Sequence, residues 1–122
     1  ESLSSFISNS LNKNINNTKI INLSPLEINY QERTVKLNNI DIKFTKMEFE
    51  ILFYLAKHKN QVFSKLQLYS HATTEHVVED TFENTIVSHI KAIRDKLKKI
   101  DTDFNPILTV PSYGYKYYHS DN

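Results

Sequence analysis

Apolar residues along this chain change period twice. From Lys19 to Phe44 they fall in four short runs, "KIINL", "LEINY", "RTVKL" and "IDIKF", separated by "SP", "QE" and "NN". Such runs between turn residues read as strands. The pair Asn38-Asn39 suits a two-residue hairpin turn, because asparagine tolerates positive φ. This stretch therefore predicts a small antiparallel sheet. From Phe44 the period lengthens, and Phe49, Leu52, Phe53 and Ala56 recur at helical spacing. They follow a T-x-x-E sequence, Thr45 to Glu48, in which each side chain can satisfy an orphan amide of the other, with Phe44 and Phe49 placed as a hydrophobic staple. "FSKLQLYSHA" repeats the device with Ser64 and Gln67 as the box and Phe63 and Leu68 as the staple. After the polar loop "TTEHVVED" comes the longest periodic segment. Ile86, Ile90, Ile93, Leu97 and Ile100 step by four and three, giving one apolar stripe, with Asp80 and Thr81 as the candidate caps. Beyond "DTDFNP" the strand period returns in "ILTV" and "YKYYH", around "PSYG".

A sheet, three helices and a terminal hairpin, in that order, make a winged helix-turn-helix. The predicted class is α+β, with an N-terminal antiparallel β-sheet, three helices and a C-terminal β-hairpin wing, the third helix being the reader. Gly114 is the only glycine, and four of the seven tyrosines surround it. A solitary glycine in an alternating aromatic stretch points to a backbone position that a side chain would obstruct, at the tip or in the second strand of the wing. Residues 1–18 are rich in Ser and Asn and read as a linker or flexible arm, leaving 19–122 as the domain.

Composition changes this picture little, and arrangement changes it more. A chain of 122 residues, 39% hydrophobic, suffices for one modest core. The absence of cysteine excludes disulfides and thiolate metal sites, and no apolar run approaches the length of a membrane span. The expectation is a cytoplasmic protein with no membrane partner. The net charge of +1 does not announce a nucleic-acid binder. From Phe82 to Lys99, however, Lys91, Arg94, Lys96, Lys98 and Lys99 stand against only Glu83 and Asp95. At 100° per residue, the side opposite the apolar stripe carries Asn84, Ser88, Lys91, Asp95 and Lys99, flanked by Thr85 and Ala92.

The segments "FTKMEFEILFYLAKHKNQVFSKLQL", "TIVSHIKAIRDKL" and "ILTVPSYGYKY" together resemble the OmpR/PhoB-type effector domain of bacterial two-component response regulators, over about residues 20 to 118. The resemblance implies a transcription regulator that binds double-stranded DNA sequence-specifically, as a homodimer on direct repeats, with the third helix (about 82–99) in the major groove and the wing (about 107–118) on the backbone or minor groove. It implies a receiver domain N-terminal to this one, and RNA polymerase as a partner of the loop before the third helix in activators. By position, the family's major-groove contacts fall on Asn84, Ser88, Lys91 and Ala92, with Thr85 beside them and His89 and Arg94 nearer the backbone. Lys65 and Tyr115 match phosphate contacts, Thr109 a contact at the wing base, and Lys116 joins them as a phosphate holder. No cofactor is implied.

Departures from the family pattern bear on affinity. Pro111 stands where the wing normally has an arginine for the minor groove, and Ser112 replaces the glycine after it. Ala92 replaces a frequently basic reader, Lys65 stands where arginine is usual, and Asp95 puts a negative charge on the reading face. A domain with these losses is expected to bind weakly alone. The alternative is a degenerate winged helix kept for protein–protein contacts. Alternation in the wing assigns Tyr115 and Tyr117 mainly to packing, and "KLKK" reads equally well as a solvated helix end. His71, His76, Glu79 and Asp80 read as loop polarity rather than a metal site. No nucleophile elbow, P-loop or Cys-His pair is present, so no enzyme is expected.

Overall fold

The computed structural model describes residues 20–73 and 81–120. The arm expected over residues 1–18, and His76, Glu79 and Asp80 of the loop before the third helix, lie outside the described residues. Four strands, β1 (Ile20–Leu23), β2 (Leu26–Asn29), β3 (Thr34–Leu37) and β4 (Ile40–Ile42), form an antiparallel meander in sequence order. Alternation turns Leu23, Leu26, Ile28, Val35 and Leu37 into the core. Asn38 and Asn39 both take positive φ, 53° and 66°, as a type I′ hairpin requires.

Three helices follow: α1 (Lys46–Lys57), α2 (Lys65–Ala72) and α3 (Phe82–Lys98). Both anticipated capping boxes form. Thr45 Oγ1 accepts from the Glu48 amide at 3.3 Å, and Glu48 Oε1 accepts from the Thr45 amide at 2.9 Å. Ser64 and Gln67 repeat the exchange at 3.1 and 2.8 Å. The start of α3 differs: Thr81 holds the cap position but makes no side-chain capping bond. Helix α1 is central and touches α2, α3, β1 and the last strand. The stripe Ile86, Ile90, Ile93 and Leu97 of α3 is fully buried in the same core, and Ile100 packs at its margin.

The chain ends in the expected hairpin, β5 (Ile107–Val110) and β6 (Gly114–Tyr117), paired from Ile107↔Tyr117 to Val110↔Gly114. β6 has a second neighbour, the α1–α2 connection. The Phe63 amide donates to Tyr115 O at 2.8 Å, the Tyr115 amide donates back to Phe63 O at 2.9 Å, and the Asn60 amide donates to Tyr117 O at 2.6 Å. This explains the solitary glycine. Gly114 opens β6 at φ +147°, and a Cβ there would lie 2.0 Å from the Phe63 carbonyl oxygen. The tip of the wing is Pro111 to Tyr113, so the glycine serves the second strand.

Candidate nucleic-acid interface

The exposed side of α3 is the one the helical projection selects: Asn84, Ser88, Lys91 and Asp95 are exposed, while Thr85, His89 and Ala92 at the flanks are half-buried. The face is internally braced. Lys91 Nζ donates to Asp95 Oδ2 at 2.9 Å, one turn on, and the Lys91 ammonium holds the Asp95 carboxyl below the usual carboxylate range. His89 Nδ1 donates to the Thr85 carbonyl at 2.7 Å, since that carbonyl can only accept, which leaves Nε2 for an outside partner.

Two of the basic residues counted on this helix are engaged elsewhere in the fold. Arg94 donates from Nη2 to the Ile107 carbonyl at 2.8 Å and to Thr109 Oγ1 at 2.9 Å, with Nε a further 3.3 Å contact to that carbonyl. Its guanidinium stands 5.7 Å over the Tyr115 ring. Arg94, Thr109 and Tyr115, three of the residues assigned to phosphate, thus form one strut between α3 and the wing. Tyr115 is only 5% exposed, so its ring is core. Lys96 donates to Glu48 Oε1 at 2.6 Å, so the carboxylate that caps α1 also ties it to α3. Burial pushes the Glu48 carboxyl up, but the Lys96 ammonium and the Thr45 amide outweigh it and hold the group below its ordinary range.

Lys65 opens α2, half-buried, and lines a cleft of about 320 Å³ with Leu66, Glu83 and the wing tip from Thr109 to Gly114. Lys116 is half-buried on β6, paired with Leu108. Tyr113 is 73% exposed at the tip, whereas Tyr117 is buried. Sequence reasoning missed Val87, an apolar residue exposed on α3. Its signal was its failure to fall on the stripe defined by Ile86, Ile90, Ile93 and Leu97.

With this geometry in view, residues 39–117 match the protein family described as "Transcriptional regulatory protein, C terminal". The chain belongs to that family. It is an OmpR/PhoB-type response-regulator domain, a class of DNA-binding transcription regulators and not a class of enzymes. Response regulator SaeR of Staphylococcus epidermidis is 40% identical over 88 residues, covering 72% of this chain and 38% of that protein. Transcriptional regulatory protein SrrA of Staphylococcus aureus is 32% identical over 99 residues, covering 80% of this chain and 40% of that protein. The chain therefore spans about two fifths of the length of these relatives. Among solved structures, the RstA DNA-binding domain of Klebsiella pneumoniae in complex with the RstA box is 26% identical, with a TM-score of 0.69, covering 82% of this chain and 97% of that one. The expected winged-helix architecture is the observed one. Among the described residues, no helix of this OmpR/PhoB-type domain is long and apolar enough to cross a membrane.

Proposed function

We propose that this domain reads double-stranded DNA by laying α3 in the major groove, with Asn84, Ser88 and Lys91 at base edges and the wing along the adjacent backbone. The observation that carries this reading is the polar, exposed face of α3 held beside the wing by the Arg94 strut. A braced face meets DNA with little left to order, which favours specificity. Thr85 and Ala92 border the readers. Lys65, His89 Nε2 and Lys116 supply backbone contacts, and Arg94 adds its charge from within the strut. Binding as a homodimer on direct repeats, a receiver domain in the full-length protein and contact with RNA polymerase belong to the same proposal. The DNA complex of the similar RstA domain supports the DNA-binding core of it.

The test is selection of duplexes from a random library by the purified 122-residue chain at low and moderate salt. An enriched motif is expected, with affinity falling as salt rises by about −0.9 in log–log slope per phosphate neutralised. Lys91→Ala should weaken binding, and Asn84→Ala should relax specificity more than it lowers non-specific affinity. One observation favours the protein-docking alternative: the wing tip, Pro111 to Tyr113, carries no cation. Absence of enrichment at both salts would decide for it.

A further inference from the structure

Val87 is 44% exposed, whereas the other aliphatic residues of α3 larger than alanine are in the core. It lies in the N-terminal half of the helix, the half that meets base edges when a recognition helix enters the major groove. Asn84, one turn before, and Ser88, beside it, are short, whereas Glu83 and Lys91, four residues before and after, are long and exposed. Short side chains allow a helix to approach the groove floor closely. Val87 also lies two turns before Arg94 and, at 100° per residue, on the same flank, the one from which Arg94 reaches the wing base. A β-branched side chain in a helix holds essentially one χ1 rotamer, so its two methyls are presented without entropy to lose on contact.

The major groove offers one apolar feature, the C5-methyl of thymine. We infer that Val87 is a specificity-determining residue that packs on a thymine methyl at the wing-side edge of the base pairs read by α3. The contact selects thymine by apolar burial, with no hydrogen bond from Val87. It compensates in part for the basic reader absent at Ala92, since a methyl pair discriminates between bases without charge. This inference rests on the DNA-reading proposal above.

The experiment replaces each thymine of the enriched duplex in turn by deoxyuridine, which removes only the methyl, and measures affinity for the parent chain and for Val87→Ala. Val87 lies outside the core, so the variant is expected to retain the parent's thermal transition. For the parent, one position toward the wing side should lose roughly three- to fivefold in affinity, the worth of one buried methyl. In Val87→Ala the same deoxyuridine should have no further effect, while deoxyuridine elsewhere acts as in the parent. If the parent binds its site but no thymine is sensitive, or Val87→Ala keeps the full sensitivity at every position, the contact does not exist while the DNA reading stands. If the parent enriches no duplex at all, both fall together.

Discussion

Arg33 and Arg94, the only arginines in the chain, each pin a junction between two structural units, and they do so by different chemistry. Arg33 closes the β2–β3 turn at φ 60°, lies over the Tyr30 ring at 4.3 Å and pairs with Glu50 of α1. Its charge is answered on the spot by a carboxylate. Arg94 joins α3 to the wing, but its acceptors among the described residues are a carbonyl and a hydroxyl, both neutral. The first junction is electrostatically closed. The second fixes geometry and leaves the Arg94 guanidinium without a carboxylate partner among the described residues, beside the exposed face of α3. A cation hydrogen-bonded to neutral groups is both a strut and a source of field, whereas one paired with a carboxylate is a strut alone.

The most severe way to break the wing-side joint is at its backbone. Gly114→Ala places a Cβ 2.0 Å from the Phe63 carbonyl oxygen and 2.9 Å from Ser64 Cα, at a φ of +147° that L residues rarely adopt. Neither contact is a flexible side-chain end, so β6 must leave the α1–α2 connection or the turn must deform. We expect a loss of about 3–5 kcal/mol in urea unfolding. A loss under about 1 kcal/mol would show that β6 does not lie against Phe63.

A milder pair of changes tests the comparison itself. Arg94→Ala leaves the Ile107 carbonyl without its guanidinium partner and frees the wing base. A destabilisation of about 1.5–3 kcal/mol is expected, with DNA affinity lowered evenly across sequences and the salt slope reduced by about 1. Arg33→Ala removes a surface ion pair and a ring contact, for about 1 kcal/mol, and should leave DNA affinity and salt slope at parent values. Equal salt slopes for the two variants would refute the distinction between a closed and an open joint.

The parts of this molecule that could be read from sequence are those whose partners are close in the chain. Both capping boxes span four residues, the Asn38-Asn39 turn is two, and the face of α3 follows from helical rotation alone. Tertiary ties were invisible for the same reason. Glu48 is legible as a cap, but its second partner, Lys96, is 48 residues away, so a lysine that adds to the charge of the third helix in sequence is in fact a link between helices. Arg94 is likewise drawn off to the wing. Gly114 is legible as a place where a side chain would obstruct, yet the obstruction belongs to Phe63, 51 residues earlier. The start of α3 carried a weak signal, and the structure gives Thr81 no capping bond to explain it by. Asn84, Ser88 and Lys91 emerge exposed together, because the buried stripe leaves them no other side.

The smallest effect lies beyond the strut, at the wing tip. The Tyr113 amide donates to the Val110 carbonyl at 3.0 Å, with Pro111 and Ser112 between them. Proline at the second position with Ser112 at φ 72° is the combination of a type II turn, whose third position favours glycine. A non-glycine residue in the left-handed region costs about 1–2 kcal/mol, and glycine gives back about 0.5–1 kcal/mol of that through the entropy of the unfolded chain. Ser112→Gly should therefore stabilise the domain by about 0.5–1 kcal/mol in urea unfolding. Because Arg94 and Phe63 fix the wing below the tip, DNA affinity should stay within twofold of the parent. Unchanged or lowered stability would mean that Ser112 sits unstrained. A large change in affinity at constant stability would mean that the tip hydroxyl touches DNA, and that the wing's role extends past its braced base.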